Sequence, residues 1–165
     1  MTPQPTGRLT AVGGGRYDLL VKRNFEATGD DVWASITEPE RTARWFGTWE
    51  GDGAAGNTVR LRMEFEEGDA WSEVRIEACE PPNRLALTVE TGMGAWRLEA
   101  LVEESPAGAE LTLIHHLDDP GAVGSIGPGW EYYLDMLVAS REGGDLPDFD
   151  DYYPAQADYF TGQVA

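Results

Sequence analysis

The sequence predicts an α+β fold in which a curved antiparallel sheet wraps a long C-terminal helix, with two short helices after the first long strand. Three observations carry that prediction. Between residues 59 and 117, five successive segments alternate apolar and polar residues with a period of two. A helical period follows in "PGWEYYLDMLVASREGG". With 41% apolar and 10% aromatic residues, the chain must bury the dry face of such a sheet, and that helix carries its longest apolar stripe.

Element by element, the chain begins with six residues that read as a frayed end. "GRLTAV-GGG-RYDLLVKRNFEA" is then a hairpin, because Gly13–Gly15 tolerate the positive φ that a tight turn demands. On its second arm Leu19, Val21, Phe25 and Ala27 share a face with Arg23. "TGDDVWASITEPERTARWFG" opens with Thr28 or Asp30 as helix cap and early aspartates at the positive end of the dipole. Pro39 ends this helix or starts the next, which runs to about Trp45 with Gly47 stopping it.

The period-two runs come next. Val59, Leu61, Met63 and Phe65 form one inward face, and Val74, Ile76 and Ala78 another, opposed to Glu73, Arg75, Glu77 and Cys79. Leu85, Leu87 and Val89 follow, then Trp96, Leu98, Ala100 and Val102, then Leu111, Leu113, His115 and Leu117. Gly, Pro and Asn punctuate the gaps, which describes an antiparallel meander with one wet face. "GAVGSIGPG" reads as a flexible lead-in with Pro128 near the first turn of the long helix. Trp130, Tyr133, Leu134, Leu137 and Val138 make the helix's apolar stripe, and Gly143–Gly144 end it. The acidic, aromatic residues 145–165 are expected to pack back, with a short helix from Pro154. All 165 residues suit a single domain.

Composition excludes several function classes. Thirty acidic and twelve basic residues leave a net charge of −18. No basic patch is visible, so neither nucleic acid nor anionic lipid is an expected partner. No apolar run approaches the roughly 20 residues that span a bilayer, and the N-terminus lacks a signal-peptide pattern. One cysteine, Cys79, permits no internal disulfide, and a cytoplasmic location is expected. "GAVGSIGPG" has neither a P-loop lysine nor dinucleotide-loop spacing, so no cofactor is expected. The G-x-S-x-G elbow of serine hydrolases is absent, and Cys79 shares the outward phase of Glu77 with no base in view.

The only histidines, His115 and His116, are neighbours in a strand and point to opposite faces, so they cannot clasp one metal ion. No metal site is expected. His115 faces the helix and reads either as a core histidine held by one hydrogen bond or as a polar anchor in an apolar pocket. Arg23 reads either as a cavity-lining group or as a strand-edge residue paired with an acid.

A curved sheet and a straight helix cannot touch along their whole length, so a cavity between them is expected. Trp45, Phe46 and Trp49 lie in the segment that would close one end. Trp96 and Trp130 approach from sheet and helix, and Met63, Phe65, His115 and Tyr133 add lining, with Leu134 and Leu137 on the helix face. These aromatics read either as core filler or as the wall of a ligand pocket.

"FEATGDDVWASITEPERTARWFG" resembles the opening signature of the START-like (SRPBCC) superfamily, in particular the branch named for homology to the activator of heat-shock protein 90 ATPase. The matching residues are Phe25, Val32–Trp33, Thr37–Glu38–Pro39–Glu40 and Trp45. "GPGWEYYLDMLVASREGG" resembles that family's closing glycine-tryptophan helix, with leucines at Leu134 and Leu137. The resemblance covers roughly residues 16 to 144. It implies the helix-grip fold shared with the birch-pollen allergen, and a protein that binds a small apolar or aromatic molecule, lipid- or polyketide-like, as a monomer or homodimer. Two alternatives stand beside it. One is a cyclase, dehydratase or hydrolase with His115 as acid–base group and Arg23 polarising a carbonyl. The other, expected least, is a co-chaperone-like regulator, because an extra N-terminal domain like that of the eukaryotic activator is not expected in these 165 residues. The family hosts many activities, so the fold alone does not choose among them.

Overall fold

A computed structural model describes residues 3–64, 70–91 and 94–164 of the chain. Eight strands make one antiparallel sheet in the order β1-β2-β8-β7-β6-β5-β4-β3. The strands are β1 Arg8–Gly13, β2 Arg16–Phe25, β3 Gly47–Glu50, β4 Thr58–Met63, β5 Ser72–Glu80, β6 Arg84–Thr91, β7 Gly94–Ser105 and β8 Gly108–Leu117. Two short helices, α1 Gly29–Thr37 and α2 Pro39–Thr42, separate β2 from β3, and the long helix α3 Val123–Glu142 lies on the dry face. A short helix α4, Ala157–Thr161, closes the chain. Among the described residues, no helix is long and apolar enough to cross a membrane.

Local chemistry explains the element boundaries. Gly13, Gly14 and Gly15 all have positive φ, which lets β1 turn directly into β2. The Thr28 side chain accepts a hydrogen bond from the Asp31 backbone N–H and caps α1. Pro39 opens α2, where a missing N–H costs nothing. Leu19, Val21, Leu111 and Val102 are at most 2% exposed, so the inward phase of β2, β7 and β8 is as the alternation predicts.

Five features depart from the sequence reading. Gly47 does not merely stop a helix: it starts β3, an unanticipated edge strand. A Cβ there would lie 2.5 Å from the Arg62 carbonyl oxygen, so only glycine lets the two strands close. In β5 the register shifts between Ile76 and Ala78, an extra residue that reverses the phase of everything after it. Cys79 therefore pairs with Leu85 and turns inward, the opposite of its expected face. The helix α3 starts at Val123, so "GAVGSIGPG" is mostly helical and Pro128 lies within it. Tertiary packing overrides the weak helix propensity here, because the Phe160 ring sits directly over Gly127.

The last two departures concern the termini. The closing helix begins at Ala157 and not at Pro154, while Tyr152, Gln156 and Phe160 of the tail are themselves buried. The N-terminus is not frayed from residue 3 onward. Glu131 of α3, fully buried, accepts from the Thr6 and Gly7 backbone N–H groups at 2.6 and 2.7 Å and from the Thr6 hydroxyl at 2.9 Å. Pro3 accepts a hydrogen bond from Gln156 as well. A buried carboxylate needs such donors, and the first residues of the chain supply them.

The buried apolar residues fall into two clusters. The larger joins β2, β7 and β8 to α3 and Phe160; the smaller holds Val59, Leu61, Val74 and Ile76 of β4 and β5.

Candidate functional site: an apolar cavity under one end of the sheet

Between the two clusters lies a cavity of about 440 Å³. Its floor is the inward face of β4 to β8, including Val74, Ile76, Cys79, Leu85 and Leu87. Its roof is Trp130 and Leu134 of α3. The α1–α2 segment closes one side through Trp33, Ile36, Pro39 and Thr42. The wall is almost wholly apolar, and its volume falls in the ~300–1,000 Å³ range usual for small-molecule sites.

The indole rings at its rim are fixed by the end of α1. A helix leaves its last carbonyls unpaired. Here the Trp45 indole N–H donates to the Ser35 carbonyl at 2.9 Å and that of Trp49 to the Thr37 carbonyl at 3.0 Å. Each ring thus satisfies its one polar group and turns its apolar surface to the cavity. Phe46 stacks on Trp130 with centroids 5.9 Å apart and meets Tyr133 edge-on at 5.1 Å.

Of the lining residues expected from the sequence, Trp45, Phe46, Trp49, Trp130 and Leu134 are on the wall. Met63, Trp96, His115, Tyr133 and Leu137 are not part of it, and Phe65 lies outside the described residues. Leu137 is fully buried against the filled part of the sheet, one turn beyond the cavity. His115 is 2% exposed and accepts, through Nδ1, a 3.1 Å hydrogen bond from the Trp130 indole N–H. Burial, reinforced by the nearby charges of His116 and Arg97, pushes its pKa down to about 4. The ring is therefore neutral, with its proton on Nε2, and it props Trp130 from behind while Trp96 packs on it at 4.8 Å.

Arg23, the other candidate catalytic group, is engaged elsewhere. Its guanidinium pairs with Asp135 and Glu131 of α3, both at 2.9 Å, and donates to the Thr6 hydroxyl at 3.1 Å. It ties the hairpin to the helix and the N-terminus. The two groups required by the enzyme alternative therefore lie off the cavity. Cys79 was missed because a bulge cannot be read from alternation, whereas the inward phase of Ile76, Leu85 and Leu87 was legible and could have placed them on the wall.

His116 faces outward, with Nδ1 2.7 Å from Asp18 and Nε2 2.6 Å from Glu99. Partial burial opposes its charge, but the two carboxylates outweigh that and raise its pKa. Each ring nitrogen serves a different carboxylate, so the three groups cannot converge on one ion. Among the described residues no cluster of His, Cys, Asp or Glu is placed to hold a metal.

The fold is that of several solved structures. CalU16 from Micromonospora echinospora superposes with a TM-score of 0.78 at 23% identity, over 98% of this chain and 97% of that one. The product of gene BPP1335 from Bordetella parapertussis gives 0.74 at 23% identity, over 98% and 92%. DynU16, from the dynemicin biosynthetic locus, gives 0.67 at 23% identity, over 83% of this chain and 50% of that one. The sequence matches no curated protein. The family model for "Activator of Hsp90 ATPase homolog 1-like protein" matches residues 26–141, from the end of β2 to the end of α3. With its eight-stranded sheet gripping a C-terminal helix, the chain belongs to that family, within the START-like superfamily.

Proposed function

We propose that this protein binds a small, uncharged, largely apolar molecule, aromatic or polyketide-like, in the cavity between β4–β8, α1–α2 and α3. One observation carries the reading: a space of about 440 Å³ walled by Trp33, Trp45, Phe46, Trp49 and Trp130 with almost no polar surface. An ion in such a space would go unsolvated and unpaired. A flat apolar ligand would gain burial and ring contacts from the indoles.

The test is native mass spectrometry of the purified protein, followed by a thermal-shift screen against fatty acids, sterols, flavonoids and aromatic polyketides. Ala100 lies on the wall, so Ala100→Phe fills part of the cavity from the sheet side. A co-purifying mass, or a compound that protects wild type and not Ala100→Phe, is the expected result. A clean apo mass with no protecting compound sinks the reading.

A co-chaperone role rests on the family description. It requires the protein to change the ATPase rate of an Hsp90-type chaperone, and an unchanged rate removes it.

A further inference from the structure

Where α1, α2 and the end of α3 meet lies a second depression, of about 220 Å³, with an opposite character. Its wall consists of Asp31 and Ser35 of α1, Arg41 and Arg44 around the end of α2, and Ser140 and Arg141 of α3. Three of the chain's twelve basic residues meet there around one carboxylate, in a protein whose net charge is −18.

Part of this cluster is a clamp between helices. Arg141 donates to Asp31 and to the Ser35 hydroxyl, both at 2.7 Å, and Arg41 donates to the other Asp31 oxygen at 3.1 Å. Those two guanidiniums hold the Asp31 carboxyl below its ordinary pKa. Glu38 lies 3.8 Å from Arg41, outside the pocket wall. The clamp needs Arg141 and Asp31; it does not account for Arg44. A guanidinium carries five N–H donors. Among the described residues, the Arg44 guanidinium gives none of them to an acceptor, and Arg41 hydrogen-bonds to Asp31 through one terminal nitrogen while its Nε is ion-paired with Glu38, so three guanidiniums face two carboxylates. The pocket is left with more donors than acceptors and an excess of positive charge.

We propose that this pocket is a binding site for a compact oxyanion of phosphate type, either the free anion or the phosphate monoester of a small molecule. A tetrahedral dianion offers acceptors in several directions. It can take the planar forks of Arg41 and Arg44 together while Arg141 remains on Asp31. The site is polar where the cavity is apolar, so it stands whether or not the cavity holds a ligand.

The experiment is a titration of the full chain with inorganic phosphate, and separately with methyl phosphate, against chloride at constant ionic strength. The readout is the arginine Nε–H signals in nuclear magnetic resonance. Saturable shifts at Arg44 and Arg41 are expected, with Arg44→Gln weakening the affinity by at least about five-fold. Arg44 is exposed and unpaired among the described residues, so Arg44→Gln should keep the wild-type melting temperature. Arg75→Gln, on the distant strand β5 beside Glu77, should bind as wild type does. Tighter binding of methyl phosphate assigns the site to a monoester; equal or tighter binding of inorganic phosphate assigns it to the free anion. An unsaturated response, or equal weakening by Arg44→Gln and Arg75→Gln, overturns the proposal.

Discussion

The two ends of the sheet carry similar side chains and end in different states. At the β1–β2 end, α3, α4 and the N-terminal residues cover Leu19 and Val21, which are at most 1% exposed. Phe160 drops into the space that a side chain at Gly127 or Gly7 would occupy. At the β3–β6 end, Val74, Ile76, Leu85 and Leu87 are equally apolar, but among the described residues α1–α2, the Trp45–Trp49 segment and the flank of α3 face them across an open space. Apolar composition is thus no guide to which end is hollow. What decides it is the number of chain segments available to cover each end, and the tail supplies its covering to one end alone.

The largest effect that separates the ends is electrostatic. Glu131→Ala removes the buried acceptor shared by Thr6, Gly7 and Arg23. The expected loss is about 3–5 kcal/mol, the cost of breaking a buried pair and stranding backbone donors. A chemical-denaturation midpoint close to wild type would show that the filled end does not depend on this knot.

Adding volume at each end sharpens the contrast. Gly127→Ala places a Cβ 2.4 Å from the Phe160 ring, and overpacking of this kind costs about 1–3 kcal/mol. Ala100→Phe points into open space and should change stability by less than about 1 kcal/mol. Equal losses in the two variants would mean that the cavity closes up in solution and that the ends do not differ.

The smallest effect concerns the two histidines, one behind each face of the same strand. In a proton titration followed by nuclear magnetic resonance, His116 should titrate above its ordinary 6.5 and His115 below it, near 4. Their linkage to stability has opposite signs. The raised His116 adds stability below pH 6.5 that is lost as pH rises through its folded pKa. The depressed His115 must gain a proton on unfolding, so its contribution is present above 6.5 and lost as pH falls toward 4. In His116→Gln the decline on the alkaline side should vanish while the acid-side decline remains. A single shared pKa near 6.5 for both rings would contradict the burial of one and the ion pairs of the other.

Much of this molecule is legible without its structure. The period-two runs place Leu19, Val21, Leu111 and Leu113 inward, because alternation on a pleated strand is a local property. Thr28, Pro39 and Gly143 mark helix ends for reasons confined to a few neighbouring residues. The opposed directions of His115 and His116 follow from the same alternation. The family signature, from Phe25 to Trp45 and around Trp130, is likewise contiguous in sequence.

Only tertiary structure decided the rest, since each remaining feature depends on residues far apart along the chain. Arg23 finds Glu131 and Asp135 more than a hundred residues away, and no local pattern foretells that this arginine is neutralised and leaves the cavity to apolar groups. Cys79 reaches the cavity because one extra residue bulges out of β5, and bulges are set by the strand alongside. The start of α3 at Val123 depends on Phe160 covering Gly127. Sequence determined which residues are apolar and how each element alternates. Packing determined which of those apolar surfaces met a partner and which were left facing an open space.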